Sequence, residues 1–235
     1  MSKFDAFKVI TTERLYIKVA GQLKELIEQG VFKPGERFPA ERSLAEKLGV
    51  SRPTIREAMI ALELAGLIEI RTGSGIYVAS AQVKKDLQPS DDEIGPFENL
   101  EMRYIFESEV CALAAQRITN DQLDRLEAAL HKMEIEKHSA IACEEADSEF
   151  HLIIAEACQN TAIYRTVKWL WEARNKAYRS TEFFQRIRKE GVHPSIEEHR
   201  KIYQALSNRD SERARLAMKN HIDGATDNAA KHFED

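Results

Sequence analysis

Apolar residues recur at helical spacing from Arg14 to Gln29 (Leu15, Val19, Leu23, Leu26 and Ile27), and Gly30 is a natural stop for that helix. Lys33-Pro34-Gly35 predicts a turn. The pattern then predicts a short helix from Ala40 to Lys47, with Leu44, Ala45 and Leu48 inward. Gly49 and Val50 make a tight turn into a third helix, which Ser51 caps. Pro53 fits the first turn, where N–H groups have no intrahelical partner. This helix runs to Ala65, buries Ile55, Ala58, Leu62 and Leu64, and ends at Gly66. Two β-prone runs follow, Leu67–Arg71 and Ile76–Val78, around the glycine-rich tip Thr72-Gly-Ser-Gly75. Helix, helix, turn, helix, hairpin is the order of a winged helix-turn-helix.

Residues 79–96 are polar and rich in turn formers (Pro89, Asp91, Asp92, Gly95, Pro96), with Val83 and Leu87 able to dock on a neighbour. From Phe97 onward the periodicity predicts six helices and no strand, over 97–117, 120–137, 140–159, 161–181, 194–207 and 210–232. Thr119 and Asp210 stand where N-caps belong. The reading is a mainly α chain of three parts. A winged helix-turn-helix spans 8–79, a linker 80–96, and an all-helical bundle 97–233.

A length of 235 residues suits two domains, and 43% hydrophobic residues suffice for ordinary cores. No apolar run approaches the ~18 residues that would span a bilayer. The N-terminus lacks the apolar core of a signal peptide, so a cytoplasmic protein is expected. The net charge of −5 speaks against a nucleic-acid binder until it is divided along the chain. Residues 1–80 carry 12 Lys+Arg and 10 Asp+Glu, a net of +2, whereas 81–235 carry 22 and 29, a net of −7. Only the first part is then suited to meet phosphates. Cys111, Cys143 and Cys158 are scattered and read as reduced core residues rather than a zinc ribbon or disulfide scaffold.

Arg52, Thr54 and Arg56 begin the third helix, the end that helix-turn-helix proteins insert into the major groove. An arginine there can take guanine O6 and N7 bidentately, and a threonine can meet the thymine methyl. Ser51 combines capping with reach to a phosphate. Arg42, one helix earlier, is placed for phosphate or base, and Gly73 allows close backbone approach at the hairpin tip. One arginine alone would only solvate an exposed face. This spacing, followed by a glycine-tipped hairpin, predicts double-stranded DNA as partner.

All seven histidines fall after residue 130. Asp147 and His151, four apart on a helical segment, share one face. His199 and His221 sit on later helices with apolar neighbours at helical spacing. Converging, the four would suit Zn²⁺, Ni²⁺ or Mn²⁺. Spacing alone leaves satisfied core histidines as an equal alternative.

Pro34-Gly35, Pro39-Ala-Glu-Arg42, Leu44-Ala45, Leu48-Gly-Val-Ser-Arg52, Thr54, Arg56-Glu-Ala58, Gly66-Leu67 and Arg71-Thr-Gly-Ser-Gly75 resemble the GntR family of bacterial regulators. The resemblance implies DNA contacts from Arg42, Arg52, Thr54, Arg56 and the Gly73 wing. Pro53 departs from the polar residue usual at its position. The second half resembles the all-helical ligand domain (FCD) of the FadR branch. Its metal-binding members carry Asp-x-x-x-His followed by two single histidines, the order of Asp147, His151, His199 and His221. Zinc is the favoured ion. Arg103, in Glu101-Met-Arg-Tyr-Ile-Phe-Glu107, is by resemblance the clamp for an effector carboxylate, with a salt bridge to Glu107 as the plainer alternative. Asn160 is expected to line the same pocket, and Trp169 and Trp171 to cover it or to pack in the core. His131, His138, His193 and His232 are expected at the surface. The layout is most similar to sugar-acid regulators such as those of hexuronates. It implies a homodimeric repressor released by a small organic acid, with no membrane partner and no catalysis. Three rivals stand: a metal-dependent hydrolase, which lacks an identifiable general base, a regulator for which the metal is the signal, and one in which the metal is purely structural.

Overall fold

The computed structural model describes residues 14–80, 94–136, 139–189 and 194–233. Those expectations that concern residues 8–13, the body of the linker with Val83 and Leu87, His138 and His193 lie outside the described residues. The chain divides into two compact units. Of the described residues, one holds 14–69 and 76–80, the other 70–75 and those from 94 onward.

In the N-terminal part, α1 (Leu15–Glu28) buries Tyr16, Val19, Ala20, Leu23 and Ile27 and packs on α3 (Arg52–Leu64). From α3, Ile55, Ala58, Met59 and Leu62 are fully shielded. The shorter α2 (Glu41–Leu48) also docks on α3, and Gly49 closes it in the left-handed conformation, φ 67°. Ser51 caps α3 as expected, its Oγ accepting from the Thr54 amide at 3.3 Å. The wing is β1 (Ile68–Arg71) paired with β2 (Gly75–Val78). Periodicity missed one feature. Residues 36–38 run antiparallel to β2 through an Arg37–Tyr77 bridge, with Phe38 N donating to Ile76 O at 2.7 Å and Val78 N to Glu36 O at 2.9 Å. Pro34 and Pro39 bracket this segment too tightly for any alternation to show.

The C-terminal part contains seven α-helices among the described residues, not six. They are α4 (Pro96–Arg117), α5 (Asn120–Ile135), α6 (Ala140–Ala157), α7 (Thr161–Lys176), α8 (Tyr178–Lys189), α9 (Ile196–Ser207) and α10 (Ser211–Ala230), closed by a 3₁₀ turn, Lys231–Phe233. The helix expected over 161–181 breaks at Ala177, which is extended at φ −68°, ψ 122°. Beyond the break α8 turns Phe183 toward Phe97 and Phe233, at ring-centroid distances of 5.4 and 5.8 Å. Tertiary burial overrides a local sequence that would continue the helix. Thr119 and Asp210 cap as expected, accepting from Gln122 N at 3.2 Å and Arg213 N at 3.0 Å. Helix α4 packs on α6, α7, α8, α9 and α10, so side chains of α6, α9 and α10 can meet beside it. Cys111, Cys143 and Cys158 are buried free thiols. No described helix is long and apolar enough to cross a membrane.

Candidate metal centre and nucleic-acid interface

Asp147 and His151 lie one turn apart on α6, His199 in the first turn of α9, and His221 on α10. All four are buried, and each offers one ligand atom within 4.8 Å of the others'. Asp147 Oδ1 stands 2.8 Å from His199 Nε2 and 3.5 Å from His151 Nε2. The outer nitrogens are held from behind. His151 Nδ1 meets Glu107 Oε2 at 2.5 Å, His199 Nδ1 meets the Ser195 carbonyl at 2.8 Å, and His221 Nδ1 lies 3.3 Å from Glu198 Oε2. Such partners fix ring orientation and turn Nε2 toward the shared point. His151 Nε2 is a buried nitrogen without a hydrogen-bond partner. Three imidazoles and one carboxylate, with an orphaned nitrogen among them, fit a borderline divalent cation such as zinc.

The buried charges shift one another. Burial alone would raise the Asp147 carboxyl, but the neighbouring His151 and His199 hold it well below its ordinary range. Burial likewise works against Glu107, yet Arg103 and His151 bring it down to about 2. Burial, then the neighbouring His199 and His151, push His221 well below its usual value, toward the neutral form a ligand requires. Burial would also lower His151, but Glu107 and Asp147 raise it.

Asp147 and His221 line a cavity together with Arg103. The Arg103–Glu107 salt bridge forms, Nε to Oε1 at 2.7 Å, and the guanidinium stacks 4.1 Å from the Trp171 ring centroid. The two alternatives for Arg103 are therefore compatible: it is paired and still borders the cavity. Trp171 is a core residue beside His151, at 5.1 Å, whereas Trp169 is exposed. The expectation for Asn160 is corrected. Its Oδ1 caps α7, accepting from Ala162 N at 2.9 Å and Ile163 N at 3.3 Å, and the side chain is exposed away from the cavity. His232 is also corrected: it is buried, its ring 5.8 Å from that of Phe183, because the 3₁₀ turn folds it inward. His131 is exposed as expected.

Sequence reasoning assigned no role to Glu107 behind His151 or to Glu198 behind His221. They are 44 and 23 residues from their partners, beyond any local spacing rule. Gly224 makes room for the second contact, since a Cβ there would sit 2.8 Å from Glu198 Oε1. Gly224→Ala is expected to displace Glu198 from His221 and weaken metal affinity roughly tenfold or more. The metal-free protein should lose no stability, because alanine favours a helix by about 1 kcal/mol over glycine. Competition against a chromophoric chelator, with a thermal melt in excess chelator, measures both.

In the N-terminal part, Arg42 is 85% exposed and loosely paired with Glu46 at 3.2 Å. Arg52, the first residue of α3, is 56% exposed and its Nε binds Glu41 Oε1. Thr54 Oγ1 lies 2.9 Å from Ser51 Oγ. Gly73 takes φ 71° at the wing tip, with open space where a Cβ would stand. Arg56 departs from the expectation of an exposed reader. It is 7% exposed, and its Nε donates to Glu41 Oε2 at 2.6 Å. Glu41, itself buried, joins both arginines of α3 to α2, a role that separations of 11 and 15 residues conceal.

Residues 15–78 match the profile of "Bacterial regulatory proteins, gntR family" and residues 98–224 that of the FCD domain. The Exu regulon transcriptional regulator of Escherichia coli K12 is 35% identical over 92% of this chain and 84% of its own. The Uxu operon regulator of Haemophilus influenzae is 34% identical over 89% of this chain and 80% of its own. The solved Streptococcus agalactiae GntR is 29% identical, covering 88% of this chain and 96% of that one, with a TM-score of 0.46. The helix-turn-helix with its wing, the helical domain with its buried Asp/His cluster, the two profile matches and the Exu and Uxu relatives together establish that the chain belongs to the GntR family, carries an FCD domain, and is a DNA-binding transcription regulator rather than an enzyme.

Proposed function

We propose that this regulator is a homodimeric repressor that leaves its operator when a small organic acid, a sugar acid such as a hexuronate, binds at a metal-containing cavity. The observation that carries the reading is the shared wall. The buried Asp147/His151/His199/His221 cluster opens through Asp147 and His221 onto the cavity that Arg103 lines. Zinc is the favoured ion, and nickel or manganese would meet the same donors. When bound, the cation supplies positive charge and a coordination position for a carboxylate. Arg103, its Nε held by Glu107, offers further N–H donors in the planar geometry that suits the same group.

At the other end Arg42, Ser51, Arg52 and Thr54 meet DNA, and the Gly73 wing approaches the backbone. Arg56 acts differently in this reading, setting α3 against α2 through Glu41. Two chains place two recognition helices in successive major grooves. The acid shifts the equilibrium only if it prefers the arrangement that cannot span both half-sites. Relatives named for the Exu regulon and the Uxu operon support this assignment, and such a protein acts in the cytoplasm.

The test is fluorescence anisotropy on DNA from the regulator's own upstream region, with metal-loaded and chelated protein. D-galacturonate or D-glucuronate is expected to release the loaded protein from DNA and to leave the chelated protein unaffected. Release by added metal with no acid present would replace this reading by one in which the metal is the signal.

A further inference from the structure

A second group of charged side chains borders the same cavity. Glu144 lies on α6 three residues before Asp147, hence roughly 5 Å along the helix on the same face. Its two oxygens are divided between two arginines from other helices, Oε1 to Arg174 Nη1 of α7 and Oε2 to Arg188 Nη2 of α8. Arg174 is 9% exposed, lies 4.3 Å over the Phe184 ring, and has a buried Nε with no hydrogen-bond partner. Burial pushes its guanidinium below the ordinary value. A tie between α6, α7 and α8 would need no cavity beside it and no unspent donor.

Charge decides what this wall can take. Arg174 and Arg188 are balanced by Glu144 and by Glu198, which lines the cavity as well. With no net charge, this wall does not attract a second anion as the metal end attracts the first. It presents the Glu144 carboxylate, an acceptor, beside the N–H-bearing guanidiniums of Arg174 and Arg188. A hydroxyl matches that pair, because it donates with its hydrogen and accepts with its oxygen, whereas a carboxylate would face Glu144.

We infer that Glu144, held by Arg174 and Arg188, reads the hydroxyl groups of a polyhydroxy acid whose carboxylate lies one helical turn away at Asp147 and Arg103. This rests on the effector reading above, and it names the residues that separate sugar acids from plain acids of the same size.

Calorimetry on the metal-loaded full chain tests it with D-galacturonate and D-glucuronate, cyclohexanecarboxylate as a hydroxyl-free acid of similar bulk, and galactarate as a dicarboxylate. Wild type should prefer at least one hexuronate over cyclohexanecarboxylate by roughly tenfold or more. Glu144→Gln, which leaves two guanidiniums without their shared carboxylate, should erase that preference, leave cyclohexanecarboxylate affinity unchanged, and improve galactarate. Arg188→Gln, at a partly exposed position, should reduce the hexuronate preference without improving galactarate, so the conclusion survives if Glu144→Gln folds poorly. An unchanged preference ratio in both variants overturns the inference, as does wild-type preference for galactarate over both hexuronates. If no acid binds wild type in a metal-dependent manner, the effector reading fails and this inference falls with it. If hexuronates bind and only the ratio is unmoved, the inference alone fails.

Discussion

Arg52→Ala is expected to remove operator-selective binding while leaving the protein folded. The side chain stands at the first residue of α3, more than half exposed, where a recognition helix meets base edges. One bidentate guanidinium–guanine contact contributes about 1–3 kcal/mol of discrimination against a wrong base. A dimer would lose two such contacts, or about 2–6 kcal/mol, a fall in operator affinity of roughly 30-fold to 10⁴-fold. Residual affinity should resemble that for unrelated DNA and fall steeply with salt, since phosphate contacts remain. Stability should change little, because an exposed ion pair contributes about 0–1 kcal/mol and Glu41 keeps Arg56. Arg56→Ala should behave oppositely, lowering the melting temperature of the N-terminal part before any effect on sequence preference, because the side chain it removes is buried. Anisotropy titrations on operator and scrambled DNA, paired with thermal melts, separate the two. Full operator selectivity in Arg52→Ala would remove this residue from the reading face.

Asp147→Asn is expected to weaken metal binding by more than about a hundredfold, beyond the 10–100-fold typical of losing an outer partner. The substitution keeps shape and removes the single anionic donor among three imidazoles. A metal held at about a thousand times its dissociation constant stabilises the folded state by about 4 kcal/mol. Chelator should therefore lower the melting temperature of wild type distinctly and leave that of Asp147→Asn almost unmoved. Elemental analysis after gel filtration supplies the independent reading of metal content. Equal metal content and equal chelator sensitivity in the two proteins would show that Asp147 is not a ligand. Operator binding without effector should persist in the variant, since the proposed metal serves the sensing end.

Much of the architecture was legible from residue order. The 3.6-residue period of Leu15 to Ile27, the Ser51 cap with Pro53 behind it, and the Thr72–Gly75 tip are local signals, and each element stands where its signal lies. The same holds for Thr119 and Asp210. At the candidate metal centre only Asp147 and His151 could be joined by spacing, because four residues make one helical turn. His199 and His221 joined them through resemblance to a family, and their meeting is a matter of how α9 and α10 pack against α6.

What the chain order determined on its own was therefore the kind and succession of elements, the reading end with its cap and wing, and one pair of donors. Packing alone decided the rest. It broke the helix at Ala177, drew Arg56 inward to Glu41, turned His232 into the core, and set Glu107 and Glu198 behind two histidines. The reason is range. Backbone propensity and side-chain period act within a turn or two, whereas a buried charge or imidazole is positioned by whichever distant helix can satisfy it once the core has closed.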